Sequence, residues 1–136
     1  MRFPLILSVT LLAAGPAWAA QPITGRWITE DRAAEVDIGR CGASLCGRIS
    51  RIVTPTPGAP TTDVNNPDKT QRSKPILGLS ILTGFADEGD DWRGRIYDPR
   101  KGKTYKSIVA RQANGTLKVQ GCIAFFCQTQ TWTRAN

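Results

Sequence analysis

The chain contains no histidine. That removes the commonest general base, the usual partner of a nucleophilic serine or cysteine, and the commonest metal ligand, so most hydrolase schemes have no catalyst here. Beyond residue 19 there is no Gly-x-Gly-x-x-Gly or phosphate-loop pattern, and nucleotide chemistry lacks its cradle. No apolar run reaches the roughly 20 residues that span a bilayer as a helix. Carboxylates are present, but Asp63, Asp68 and the run Asp87, Glu88, Asp90 and Asp91 fall in segments rich in turn residues. They read as solvated turns and an Asx-type turn better than as a glycosidase pair. No catalytic residue, cofactor or metal is expected.

What is present begins with an export signal. Arg2 precedes the apolar stretch 4–14, and Ala17-Trp18-Ala19 places small residues at the two positions that a signal peptidase reads. Residues 1–19 are therefore expected to be removed near Ala19, leaving 20–136 as a single domain in the periplasm or outside the cell. The net charge of +7 is scattered rather than blocked. Such scatter favours solubility and loose attraction to anionic envelope surfaces over a dedicated nucleic-acid face.

From Ile23 onward, apolar and polar residues alternate with period two, and turn signals recur every 8 to 12 residues. The pattern predicts strands at 24–30, 34–41, 46–53, 78–86, 92–98, 103–112, 116–122 and 127–134. Asn114-Gly115 and Asp98-Pro99-Arg100-Lys101-Gly102 mark the clearest hairpin tips. One connection is long. Residues 54–77 hold Pro55, Pro57, Pro60, Pro67 and Pro75, and proline has no N–H to give a central strand. A loop of that length in a compact domain is usually functional or mobile. Eight short antiparallel strands hide their edges most simply by closing on themselves, which gives an all-β up-and-down barrel. Pairing the ends would bring Gly25 and Trp27 of the first strand to Trp132 and Arg134 of the last. An arginine over an indole face contributes about 0.5 to 2 kcal/mol.

The Gly-x-Trp of the first strand and the arginine of the last resemble the signature of lipocalins and related calycin barrels. A longer series is similar to the bacterial exported family catalogued as domain of unknown function 2147: Cys41-Gly42-Ala43-Ser44-Leu45-Cys46-Gly47-Arg48-Ile49, Asn66-Pro67-Asp68, Arg72 to Leu79, Arg95 to Pro99, Gly102 to Tyr105 and Thr129 to Arg134. The resemblance covers essentially all of 20–136. It implies a lipocalin-like barrel and an envelope or secreted location, and it carries no established reaction.

The four cysteines fall into two equally spaced pairs, Cys41 with Cys46 and Cys122 with Cys127. In an exported chain they should be oxidised. The spacing is at the limit for zinc ligands, and it is wider than that of thioredoxin-type redox motifs. Among the three possible connectivities, strand geometry selects one. In this barrel order the two pairs occupy opposite ends, roughly 25 Å apart at about 3.3 Å per residue, whereas bridged Cα atoms lie about 4.4 to 6.8 Å apart. Cys41–Cys46 and Cys122–Cys127 are expected, each stapling the outer face across a hairpin end.

Alternating strand directions place the 54–77 loop, the 99–102 turn and the 123–126 tip at one barrel end. The tip reads Ile123-Ala124-Phe125-Phe126, unusually apolar for a hairpin. It is either a plug beneath the loop or the lip of a ligand mouth with the loop as lid. The expected mouth comprises Ile123, Phe125 and Phe126, with Asn66, Asp68 and Arg72 from the loop and Tyr97 and Tyr105 from the neighbouring hairpin. Eight strands leave room for side chains or one small ligand. The chain thus reads as a monomeric, non-catalytic barrel that binds a small apolar or amphipathic molecule. The alternative is an envelope interaction module that holds a protein or anionic glycolipid through its outer surface or apolar tip.

Overall fold

A computed structural model describes residues 9–12 and 19–136. Most of the expected export signal lies outside the described residues. The rest forms eight strands, β1 (Gly25–Ile28), β2 (Ala34–Cys41), β3 (Ser44–Ile52), β4 (Ser80–Asp87), β5 (Trp92–Asp98), β6 (Lys103–Arg111), β7 (Leu117–Ile123) and β8 (Phe126–Arg134). Each runs antiparallel to the next, and β1 closes against β8 through Trp27↔Arg134 and Ile28↔Thr133. The fold is a closed eight-stranded up-and-down barrel.

The alternating pattern sends one set of side chains inward. Trp27, Val36, Phe85, Val109, Leu117 and Trp132 are at most 1% exposed and form much of the core. Close packing at the wall requires small residues: a Cβ on Gly94 would lie 2.6 Å from the Thr83 carbonyl oxygen and 2.7 Å from the Phe85 ring. The register shifts between Glu35 and Val36, where β3 carries Ser50 as an extra residue, and Glu35 is buried there. The Glu35 carboxylate is satisfied there by Ser50 Oγ at 2.9 Å and by Arg51 Nη2 at 3.1 Å. These hydrogen bonds, Ser50 first and then Arg51, hold its pKa below the usual range.

Trp27 lies beneath two arginines, with the guanidinium carbon of Arg134 4.3 Å and that of Arg111 6.0 Å from its ring. A side chain at Gly25 would collide with the Arg134 guanidinium, so the Gly-x-Trp spacing leaves that arginine room to reach the indole. Residues 20–24 lie across this end. Trp27 Nε1 donates to the Ile23 carbonyl at 2.9 Å, and Trp92 Nε1 to that of Gln21 at 2.9 Å. The two disulfides join Cys41 to Cys46 and Cys122 to Cys127, one at each end of the barrel.

Candidate functional site

The end away from Trp27 is open. A cavity of about 210 Å³ enters the barrel there. Its floor is apolar, made by Ile49, Ile81, Ile96, Val119 and Trp132, and its throat is polar, with Tyr105, Gln128 and Gln130. This gradient is written into the inward positions of the last two strands. From the closed end toward the mouth, β7 contributes Leu117, Val119 and Gly121, while β8 contributes Trp132, Gln130 and Gln128. Bulk falls along β7 and polarity rises along β8, so the interior is filled at one end and hollow at the other. A Cβ on Gly121 would make only ordinary contacts, 3.5 Å from Ile96 Cγ2 and 3.8 Å from Tyr105 Cβ. The missing side chain at Gly121 is part of the hollow. Gln130 Oε1 accepts from Trp132 Nε1 at 2.9 Å, which leaves the Gln130 amide NH₂ as a donor in the throat.

Charge sits at the rim. Arg100 of the β5–β6 turn reaches Asp31 of the β1–β2 turn at 2.6 Å and ties two mouth turns together. Burial alone would raise the Asp31 pKa. Hydrogen bonds from the Ala33 amide, Thr29 and Arg100, with the Arg100 charge, outweigh it and leave the carboxyl below its ordinary value.

The expected mouth residues separate into three groups. Tyr105 and Tyr97 line the cavity, but the Tyr97 hydroxyl donates to Asp63 Oδ1 at 2.7 Å, in the long loop. Asn66, Asp68 and Arg72 do not line it. Asn66 Nδ2 donates to Asp63 Oδ2 at 2.8 Å, and Asn66 Oδ1 accepts the Asp68 amide at 2.9 Å, the Asx turn expected of this tripeptide. Asp68 caps the one-turn 3₁₀ segment Lys69–Gln71, and Arg72 Nε donates to the Asn66 carbonyl at 2.8 Å. These three residues organise the loop itself. Ile123, Phe125 and Phe126 form the third group; they stand 63%, 99% and 83% exposed at the tip, outside the cavity lining and uncovered by the loop.

The long loop is correspondingly not a lid over the barrel: none of residues 54–77, all of them described, lines the cavity. It is a strap fastened to Tyr97 of β5 and to the β5–β6 turn, with Ile76 packed against the core. Thr62 bridges Pro75, and Asp63, with no exposed surface, is the anchor beneath it. Asn65 Nδ2 grips the Pro99 and Arg100 carbonyls at 3.2 and 3.1 Å. Burial, the hydrogen bond to Asp63 and the charge of that carboxylate push the Tyr97 phenol up to about 12. Asp63–Tyr97, Gln128, Gln130 and the Asp31–Arg100 pair escaped sequence reasoning. Only the glutamines left a usable sign, since two polar residues share the inward parity of Trp132. Among the described residues, no three His, Cys, Asp or Glu side chains gather as metal ligands, and no helix is long and apolar enough to cross a membrane.

Comparison with known proteins agrees with the barrel fold. The chain is similar to a Helicobacter pylori protein, HP1028, described as belonging to the lipocalin family, with 22% identity and a TM-score of 0.73 over 85% of this chain and 84% of that one. At that identity the likeness speaks for the fold. No curated protein matches the chain. The family described as "Uncharacterized protein conserved in bacteria (DUF2147)" matches residues 25–134, nearly the whole barrel from β1 to the end of β8, and the chain belongs to that family.

Proposed function

We propose that the protein is a non-catalytic, monomeric binder, exported to the periplasm or beyond. It takes a small apolar or amphipathic molecule into the open end of the barrel. The observation that carries this reading is the graded cavity, with an apolar floor at Trp132, Ile96 and Val119 under a throat bearing Gln128, Gln130 and Tyr105. Two disulfides suit an oxidising compartment.

The cavity volume of about 210 Å³ limits the guest. An apolar hole of about 150 Å³ accepts benzene, and drug-sized ligands occupy roughly 300 to 1,000 Å³. The site suits one ring or a short alkyl segment whose polar end stays in the throat. Burying about five methylenes contributes roughly 4 kcal/mol, whereas micromolar binding requires about 8 kcal/mol. Polar contacts at the throat must therefore supply a large share of the affinity, and the ligand class is amphipathic rather than purely hydrocarbon.

Native mass spectrometry of protein recovered from its own envelope, followed by titration with short fatty acids and small aromatic acids, tests the reading. A bound adduct, or binding that Gly121→Leu weakens at least tenfold while unfolding stays within about 1 kcal/mol of wild type, is the expected result. An empty protein that takes none of these ligands, or ligand binding indifferent to Gly121→Leu, would overturn it. The apolar tip is the observation favouring an interaction role, and it is compatible with a filled cavity.

A further inference from the structure

The tip of the β7–β8 hairpin is built to hold aromatic side chains in solvent. Ile123 pairs with Phe126, so only Ala124 and Phe125 make the turn. Ala124 adopts φ +50°, a left-handed conformation that glycine accepts more readily. Directly behind the turn, Cys122 is bonded to the paired Cys127. The hairpin cannot fray there without moving the disulfide. Phe125 is 99% exposed and Phe126 83% exposed at the same barrel end as the cavity mouth. Burial on the barrel does not explain them.

The surroundings specify what would cover them. Lys106 lies opposite Cys122 in the β6–β7 register. Because the strands are antiparallel, Lys103 and Lys101 lie beyond that pair on the tip's side. All three lysines are exposed, and none belongs to the three salt bridges found among the described residues. Asp98 faces Lys103 in the register, and Asp31 is taken by Arg100, so the lysines outnumber the free carboxylates beside the tip. A narrow aromatic wedge with long cationic side chains beside it suits a lipid–water interface, where rings sit at headgroup depth and lysine stems reach back to phosphate. A stable protein interface would instead need about 800 Å² per partner with shape complementarity, more than a two-residue turn presents.

We infer that the protein docks on anionic bilayers mouth first, inserting Phe125 and Phe126 at headgroup depth while Lys101, Lys103 and Lys106 contact the lipid phosphates. The inference rests on the reading of the cavity as a ligand site, whose mouth it brings to a source of amphipathic molecules. Adsorption itself is measured separately from ligand binding.

The test uses protein matured in an exporting host, with its N-terminus identified by intact mass, and sedimentation with vesicles of phosphatidylcholine alone or mixed with phosphatidylglycerol. Wild type should bind the anionic vesicles more than about tenfold better than the neutral ones. Phe125→Ser with Phe126→Ser should lower that binding at least tenfold with unchanged circular dichroism. Exchange of the three lysines for glutamine should erase the anionic preference. Phe125→Trp should shift its emission to the blue on anionic vesicles only. Gly121→Leu should dock normally even with its cavity filled. Wild-type protein that ignores anionic vesicles, docking untouched by the double serine variant, or a tip that captures a protein partner but no vesicle would overturn the inference. Ligand binding without docking would leave the cavity reading standing alone.

Discussion

The two ends of the barrel are made by the same eight strands but solve opposite problems. At the closed end, Trp27, Leu117 and Val109 have no exposed surface, arginines cover the indole, and residues 20–24 lie across the opening. At the mouth, β8 is exposed from Phe126 to Thr131, inward positions carry glutamine, and phenylalanines face water. A disulfide sits at each end. Burial is concentrated at one end, and the other keeps a hollow and an apolar tip. Cutting into the closed end should therefore unfold the protein, and changes at the mouth should alter binding with little effect on stability.

The largest effect is expected from Trp27→Ala. It empties a fully buried site and removes the ring under Arg134, so denaturant unfolding should show a loss of about 3 to 5 kcal/mol. At the mouth, Gln128→Ala should stay within about 0.5 kcal/mol of wild type. Comparable losses from the two variants would erase the distinction between the ends.

Tyr97→Phe should come next, because it probes the wall between the ends, where the strap is fastened. The substitution leaves the buried Asp63 carboxylate with one donor fewer, and a loss of about 1 to 3 kcal/mol is expected. Burial of the phenol, together with the same bond, sets a pH signature. The folded phenol titrates near 12 against an ordinary value of 10, so its contribution to stability is complete below pH 10 and disappears as the pH rises from 10 toward 12. The chain has two tyrosines. Tyrosinate absorbance of a Tyr105→Phe variant therefore reports Tyr97 alone, and titration near 10 would show that the latch does not hold.

Much of this architecture was legible in the residues. Period-two alternation located all eight strands to within a few residues, Asn114-Gly115 marked a hairpin, and barrel order paired the cysteines correctly because the ends are too far apart for any other bridging. Closure through Trp27 and Arg134 followed from the need to hide edges. What escaped depended on contacts distant in sequence. Proline in 54–77 announced only that no central strand could form. Whether the loop covered the mouth or the wall was decided by Asp63 and Tyr97, 34 positions apart, a partnership with no periodic trace. Hydrophobicity alone argued that Phe125 and Phe126 should be either plug or lip, whereas a two-residue turn points them away from both. The glutamines of β8 were readable by parity, yet a polar residue in an inward position is informative only once the hollow beside it is known.

The smallest effect should come from the ion pair across the mouth. Arg100 and Asp31 are 72% and 47% exposed at their side chains, so water screens them, and a double-mutant cycle with Arg100→Ala and Asp31→Ala should give a coupling of about 0.2 to 1 kcal/mol. The sign with pH follows from the depressed carboxyl. With the folded pKa below its ordinary value of 3.8, the contribution is present above that value and is lost as the pH falls through the folded pKa. Molar salt, which shortens the Debye length to about 3 Å, should shrink the coupling further. A value above about 2 kcal/mol, or one indifferent to salt, would mean that the mouth turns carry folding energy of their own. The ends of the barrel would then differ in shape but not in role.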